Sequence, residues 1–121
     1  MRNLIFASLL LAASGVSAGP AVLEPLPREL RELSKKGIYA IYAVDIETAR
    51  ANFEEAEKKF PGHPFPRFGI AMTKWAALEY LEDESDPRLD KEYSELTDSA
   101  IATGLKWLKT HPGDADAHLC L

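Results

Sequence analysis

The sequence predicts an all-helical domain, and three observations support this class. Apolar side chains recur at intervals of three and four residues in several long stretches. No stretch shows the period-two alternation of apolar and polar residues that is typical of a strand. Prolines separate the periodic stretches, as they do between consecutive helices. The 121 residues are enough for one small domain.

The first 18 residues have the composition of an export signal and not of the domain. Arg2 supplies a positive charge, and the apolar run from Leu4 to Ala18 follows it. This run has 15 residues, whereas a helix needs roughly 20 to span a membrane. Because Val16-Ser17-Ala18 is a small-residue cleavage site, we predict cleavage after Ala18 and export to the periplasm or the exterior. The mature chain is then expected to have no membrane association.

The charge of the chain limits its partners. Lys and Arg number 14 and Asp and Glu number 19, which gives −5, and removal of Arg2 with the signal leaves 13 − 19 = −6. Nucleic acids and anionic membranes bind clustered cations, so neither is an expected partner. The single cysteine, Cys120, cannot form an internal disulfide. The domain must therefore be stabilised by its hydrophobic core.

The chain after the signal begins with an extended lead-in at residues 19–26, which is rich in proline. Pro27 suits the first position of a helix, where its missing N–H costs nothing. This first helix is expected to run to about Val44, with an interruption at Gly37 because glycine is a poor helix former.

The second helix, DIETARANFEEAEKKF, has the clearest pattern in the chain. It begins after the N-cap residue Asp45 and stops at Pro61-Gly62. Its apolar stripe is formed by Ile46, Ala49, Phe53, Ala56 and Phe60. On the opposite side, two i,i+4 ion pairs are expected: Glu54–Lys58 and Glu55–Lys59.

Two further helices are predicted between Pro66 and His111. The third follows Pro66 and turns six apolar residues inward, namely Phe68, Ala71, Met72, Trp75, Leu78 and Leu81. The fourth starts beyond Pro87 and has one face made of Leu89, Tyr93, Leu96, Ala100, Gly104, Trp107 and Leu108. It ends at a second proline–glycine pair, Pro112-Gly113, and a new helix is expected to begin at Asp114.

The stretch that ends at Pro61 resembles the second helix of a tetratricopeptide repeat. Its spacing, Ala49-x3-Phe53-x2-Ala56-x4-Pro61, follows the alanine, aromatic, alanine and proline positions of that family. The stretch before Pro112 keeps only the first alanine, Ala100, and the proline. Gly104 stands in the aromatic position and Trp107 in a small-residue position. One interpretation is that Trp107 fills the space that Gly104 leaves.

The corresponding first helices match the family less well. Leu33-x3-Gly37 keeps its hydrophobic residue and its glycine, but Ala40 stands in the tyrosine position. Phe68-x2-Ala71-Met72-x2-Trp75 approximates the pattern, with methionine in place of the glycine. The two prolines are 112 − 61 = 51 residues apart, whereas a standard repeat has about 34. The excess falls around the acidic stretch at residues 82–96.

The resemblance implies antiparallel helix pairs that form the start of a right-handed solenoid over residues 27–121. Repeat 1 would cover about 27–62, repeat 2 about 66–112, and a third repeat would begin at 114–121. Because that third repeat breaks off within its pattern, the chain is expected to be the N-terminal piece of a longer protein. The alternative is an unrelated small helical bundle.

The resemblance also implies a concave face that contacts a protein or peptide partner. The residues expected on this face are Arg31, Ser34, Ile38, Tyr42 and Thr73.

The three histidines are candidates for a metal or catalytic site. His63 and His111 both adjoin a proline–glycine pair, which raises the question of a site that occurs twice. No two histidines have the i,i+4 spacing of a zinc helix, and a zinc site needs three or four converging ligands. We therefore interpret the repeated combination as a turn that is used twice, and predict no metal and no cofactor.

Cys120 and the acidic stretch from Glu79 to Asp98 are the other candidates. A nucleophilic cysteine needs a positioned base, and His118, two residues away on a helix, points to a different face. Cys120 is expected at an inter-repeat contact, although in a free fragment it could become exposed and form disulfide-linked dimers. The acidic stretch lacks the residue order of a calcium loop. It is expected to be a solvated insertion or a docking patch for a basic partner.

These observations favour an exported, non-catalytic helical-repeat scaffold that binds a protein or peptide. One alternative is the N-terminal helical domain of an enzyme or larger envelope protein whose active part lies beyond Leu121. The other is a free-standing bundle with a structural role in the envelope.

Overall fold

The computed structural model describes residues 25–83 and 85–121. They form five helices: α1 (Arg28–Tyr42), α2 (Ile46–Lys59), α3 (Pro64–Tyr80), α4 (Pro87–Leu108) and α5 (Ala115–Leu119). These two ranges contain no strand, so the prediction of an all-helical class is confirmed for them. None of the helices in them is both long enough and apolar enough to cross a membrane. The predicted signal peptide and most of the lead-in lie outside the described residues.

Aspartate side chains begin three of the helices. Asp45, Asp86 and Asp114 each accept a hydrogen bond from a backbone N–H in the first turn of α2, α4 and α5, at 3.1, 2.9 and 3.0 Å. These bonds satisfy donors that have no partner inside the helix. The predicted N-cap of the second helix, Asp45, is therefore confirmed.

The third helix begins earlier than its prolines suggested. It starts at Pro64 and not after Pro66, because His63 acts as its N-cap. Nδ1 of His63 accepts a hydrogen bond of 3.2 Å from the backbone N–H of Phe65. Both prolines lie in the first turn, where the N–H that they lack would have no partner in the helix.

Each helix packs against the next one in sequence, and in addition α1 contacts α3 and α3 contacts α5. The buried apolar side chains lie mainly on α2 and α3, and α1 adds Leu30; those of α2 and α3 are Ala49, Phe53, Ala56, Ile70, Ala71, Ala76 and Ala77. The apolar stripe predicted for the second helix is buried at its three central positions, and Ile46 and Phe60 at its ends are half-buried.

Phe53 is the centre of the contact among α1, α2 and α3. A Cβ atom on Gly37 would lie 2.5 Å from Cε2 of the Phe53 ring, and one on Gly69 would lie 2.1 Å from Cδ1. Neither position could carry a side chain unless the ring moved. The expected interruption of the first helix at Gly37 is absent, because this glycine permits the close approach of α1 to Phe53.

The buried face of α3 differs from the predicted one. Trp75 is 39% exposed and Leu81 is 63% exposed, although both were expected to point inward. The core positions are instead Gly69, Thr73 and Ala76, which are small and permit close contact with the neighbouring helices. The prediction is confirmed for Ala71, which is buried, and Phe68, Met72 and Leu78 are half-buried. It is wrong for Trp75 and Leu81, because a pattern of large apolar residues gives no weight to small residues in a core.

The predicted partner of Gly104 is also corrected. A Cβ atom on Gly104 would lie 2.9 Å from Cδ2 of Leu121 and 3.9 Å from Cβ of Pro64. Leu121, and not Trp107, therefore fills the space beside this glycine. The indole of Trp107 lies toward the turn that follows α4, where its Nε1 donates a hydrogen bond of 2.8 Å to Asp114.

One of the two ion pairs predicted on α2 is present among the described residues. Lys59 lies 3.5 Å from Glu55 and is also bonded to Glu29 of α1. Glu54 pairs with Arg50, 3.0 Å away, instead of with Lys58. All these side chains are substantially exposed, so each pair contributes little to stability.

Candidate functional site

A strongly apolar groove lies between α1 and α3. Its volume is ≈ 190 Å³, and the buried residues Phe53 and Gly69 form its base. The walls are made of Ile38, Ile41 and Tyr42 from α1 and of Phe65, Phe68 and Met72 from α3. Phe65, Phe68 and Met72 are three, four and seven positions apart, and Ile41 and Tyr42 follow Ile38 by three and four, so the residues of each wall lie on one side of their helix.

The groove is open to solvent on the α1 side. Ile38 is 37% exposed and Tyr42 is 83% exposed. On the α3 side, the rings of Phe65 and Phe68 meet edge to face with their centroids 6.4 Å apart. A contiguous exposed patch of large apolar side chains is typical of a binding surface.

Two cations continue the α1 wall beyond the apolar residues. Arg31 and Lys35 precede Ile38 by seven and three positions, so they lie on the same side of α1. Both side chains are exposed, and no described carboxylate lies within ion-pair distance of either. One end of the groove therefore carries positive charge.

The other end of the described domain is acidic. At the end of α3, Glu79 and Asp83 are exposed, and Glu82 pairs with Lys74 at 2.9 Å. Lys74 also pairs with Glu92 of α4 at 3.0 Å, which fixes the connection between the two helices. The domain is thus electrically polarised, with cations on α1 and carboxylates around the α3–α4 connection.

Three of the five residues expected to contact a partner lie on the surface. Arg31, Ile38 and Tyr42 are exposed on the groove side of α1. Ser34 and Thr73 are only 3% and 2% exposed, so in this conformation their side chains are not available to a partner. The hydroxyl of Thr73 donates a hydrogen bond of 2.8 Å to the carbonyl of Gly69 within α3.

Sequence reasoning missed the α3 wall of the groove. The pattern on this helix face is Phe65-x2-Phe68-Gly69-x2-Met72. It contains two aromatic residues, a glycine beside the second of them, and Met72. This pattern was available in the sequence, but Met72 was assigned to the glycine position. The error arose because Phe65 was placed before the start of the helix.

The two proline–glycine–histidine combinations are both turns, as predicted, and their histidines both contact the ring of Trp107. Trp107 lies between them: its ring is stacked on His111 with centroids 3.9 Å apart and an interplanar angle of 7°, and it is tilted against His63 at 4.8 Å. Burial lowers the pKa of His63 below its usual value of 6.5, against the opposing effect of Asp114 and Asp116. The cluster thus connects the start of α3 to the end of α4.

An open cleft of ≈ 670 Å³ lies beside this cluster. It contains Glu57, Arg67 and His111, which are residue types that occur in catalytic sites. Arg67 is held by Glu57 and by the hydroxyl of Ser99 at 3.1 Å. His111 Nδ1 lies 3.2 Å from the Trp107 carbonyl and 2.9 Å from the Thr110 hydroxyl. Arg67 and His111 therefore each have hydrogen-bond partners within the domain, in two separate sets of contacts.

Cys120 is buried, which agrees with its expected behaviour as a small apolar residue and differs from the exposure expected in a free fragment. Burial raises its pKa to about 11, and Asp116 and Asp114 act in the same direction. The thiol is therefore protonated and unreactive at neutral pH. Within residues 25–83 and 85–121, no group of three or more His, Cys, Asp or Glu residues is placed to hold a metal ion.

Comparison of the chain with protein-family models, with curated proteins and with solved structures gave no match.

Proposed function

We propose that the chain is an exported, non-catalytic scaffold of the tetratricopeptide-like kind, which binds a peptide segment of another protein in the α1–α3 groove. The observation that carries this proposal is the groove itself, with exposed Ile38 and Tyr42 facing Phe65, Phe68 and Met72. An apolar residue of a partner would remove these side chains from water, which stabilises a complex by about 1.5–3 kcal/mol per buried large side chain.

The packing around Phe53 supports the repeat character. Gly37 precedes this ring by 53 − 37 = 16 positions, and Gly69 follows it by 69 − 53 = 16 positions. The two edges of the ring therefore each meet a glycine of a neighbouring helix, Cε2 beside Gly37 of α1 and Cδ1 beside Gly69 of α3. The contacts of α1 with α2, α2 with α3, and α1 with α3 are those expected of stacked helix pairs.

The proposal is tested with a peptide library displayed on phage and selected against the purified chain. We expect the enriched peptides to carry an apolar anchor residue and to lose binding to the variant Met72→Glu, which places a charge in the groove. Trp75→Glu is the matched control, because Trp75 is exposed on the same helix and does not line the groove. A second variant on the opposite wall, Ile38→Glu, should behave like Met72→Glu.

Circular dichroism melts of the three variants show whether each remains folded. Peptides that bind wild type and both groove variants equally would overturn the proposal. So would a library that yields no peptide at all against the wild-type chain.

A second candidate is the N-terminal helical domain of an enzyme or larger envelope protein. It is favoured by apolar side chains exposed near the contact of α4 with α5, namely Ile101, Leu105, Leu119 and Leu121. A following helix would cover them. A broad melt with concentration-dependent light scattering that Leu105→Ser removes would favour this candidate, and a sharp melt from a monomer would count against it.

A further inference from the structure

Two large apolar side chains are exposed at the end of α3, among carboxylates. Tyr80 is 59% exposed and Leu81 is 63% exposed. Glu79 precedes them, and Glu82 and Asp83 follow them. We call residues 79–83 the acidic corner. The α1–α3 groove does not use it, and no described residue covers it.

The acidic corner is held in place by the rest of the domain. The backbone N–H groups of Leu81 and Glu82 both donate to the carbonyl of Ala77, at 2.9 Å. The Glu82 carboxylate is bonded to Lys74, which also binds Glu92 of α4. Tyr80 and Leu81 are therefore presented to solvent by an ordered helix end, and little conformational entropy would be lost when they bind a partner.

The chemistry of the acidic corner is complementary to that of the groove. The groove offers an apolar cavity with Arg31 and Lys35 at one end, and the corner offers an apolar pair beside exposed carboxylates. We propose that the acidic corner of one copy of this chain docks in the α1–α3 groove of a second copy. Tyr80 and Leu81 would occupy the cavity, and Glu79 and Asp83 would face Arg31 and Lys35. This inference rests on the proposed function, since it needs the groove to be a docking site.

Such a contact occurs between copies and not within one. Tyr80 follows Met72 by eight positions on the same straight helix, which is about 12 Å at 1.5 Å per residue. The corner therefore lies outside the groove of its own chain. Because two different surfaces meet, the contact is head-to-tail: one copy of a pair keeps its groove free, and the other keeps its acidic corner free. We expect the free surfaces to bind further copies, so that open chains of increasing length form.

The head-to-tail geometry allows a complementation experiment. The chain is purified after export, and mass spectrometry establishes its N-terminus, which is expected to be Gly19. In sedimentation velocity, the average mass of the wild-type chain should rise continuously with concentration. The corner variant Tyr80→Ser/Leu81→Ser and the groove variant Met72→Glu should each remain monomeric. Their equimolar mixture should associate again and stop at twice the monomer mass.

Charge and location are tested in the same assay. Lys35→Glu should weaken association at least tenfold, and an increase from 50 to 500 mM salt should weaken it for the wild type, because the paired charges are exposed. Leu105→Ser is the matched control: it removes an exposed apolar residue of α4 and should associate like the wild type.

Three results would overturn the inference: a wild-type chain that stays monomeric at all concentrations, a mixture of the two variants that stays monomeric, or loss of association in Leu105→Ser. Failure here is distinguishable from failure of the proposed function. If library peptides bind the groove of a wild-type chain that remains monomeric, the proposed function is supported and only the docking of a second copy is refuted. Complementation without any library peptide would mean that the groove serves self-association alone.

Discussion

The domain has two junctions where helices approach closely, and they are built in opposite ways. At the first, the Phe53 ring is buried among α1, α2 and α3 between Gly37 and Gly69. At the second, α4 supplies the glycine, Gly104, and Leu121 packs against it from the end of the chain. The large residue is 1% exposed at the first junction and 47% exposed at the second.

The Phe53 ring is held at two edges by neighbouring helices, whereas the Leu121 side chain meets α4 on one side and is half exposed on the other. Phe53 cannot move without displacing a helix, because both neighbouring glycines belong to helix interiors. Leu121 approaches Gly104 with the end of a flexible side chain, which can rotate away. The first junction should therefore resist any change of volume, whereas the second should tolerate it.

The largest expected effect is that of Phe53→Ala. Truncation leaves a cavity among three helices and should lower the free energy of unfolding by about 3–5 kcal/mol, the usual cost of removing a buried aromatic ring. The matched change at the second junction, Leu121→Ala, should cost about 1 kcal/mol or less because this side chain is half exposed. Urea unfolding followed by circular dichroism measures both. Equal losses in the two variants would refute the contrast between the junctions.

The next effect is the addition of one methyl group at each junction. Gly69→Ala places a Cβ 2.1 Å from the enclosed Phe53 ring and should destabilise the domain by about 1–3 kcal/mol. Gly104→Ala meets only the end of Leu121, at 2.9 Å. There the better helix propensity of alanine, up to about 1 kcal/mol, should make the change neutral or stabilising.

Gly113→Ala serves as the control for these two variants, since nothing lies within 4 Å of its added Cβ. Melting temperatures should fall in the order Gly104→Ala, Gly113→Ala, Gly69→Ala. If Gly69→Ala melts at or above the wild-type temperature, the Phe53 ring can move away from the added methyl group at little cost, contrary to the close contact described above.

The first junction was partly predictable from the sequence. The spacing of Ala49, Phe53 and Ala56 identified the buried stripe of α2, and Asp45 identified its start. The partner glycine, Gly69, was missed. Hydrophobicity patterns favour large residues and give no weight to a glycine that lets another side chain approach closely. The same bias predicts Trp75 and Leu81 in the core. Phe65 was missed for a different reason, since Pro66 suggested a later start of α3.

The second junction and the groove were less predictable. A sequence pattern that runs along one helix does not reveal that Leu121 reaches Gly104, or that Trp107 stacks between two histidines from distant turns. These contacts depend on how helices are placed in three dimensions. The α1 wall of the groove was half identified through Ile38 and Tyr42, whereas Ser34 was expected at the surface and is buried.

A smaller effect distinguishes the two tryptophans. Trp107→Phe removes the hydrogen bond from Nε1 to Asp114, the N-cap residue of α5, and loosens the ring stack. The free energy of unfolding should fall by about 1–2 kcal/mol. Trp75→Phe is the control, and its effect should stay within about 0.5 kcal/mol because Trp75 is on the surface. If the two variants unfold at the same urea concentration, the Trp107–Asp114 bond does not stabilise the turn.

The smallest expected effect is a pH dependence at His63, the N-cap residue of α3, which packs against Trp107. Burial lowers its pKa in the folded state below 6.5, so the unfolded chain binds a proton more readily than the folded one. Protonation of this histidine at low pH therefore stabilises the unfolded chain more than the folded one. The free energy of unfolding should be constant above about pH 7 and fall as the pH drops through 6.5. Asp114 and Asp116 oppose the shift and His111 reinforces it, so the net fall should be small.

The change His63→Asn tests this dependence, because asparagine keeps an acceptor at the N-cap and does not titrate. Urea midpoints at pH 7.5, 6.0 and 5.0 should fall for the wild type and fall less for His63→Asn. Exposed His118 supplies the control, and His118→Asn should follow the wild type. Carboxylates with a lowered pKa, such as Asp45 and Asp114, lose their contribution only below their usual value of 3.8, which lies outside this window. Parallel curves for the wild type and His63→Asn would mean that His63 is hydrated in the folded state and does not contribute to the pH dependence of stability.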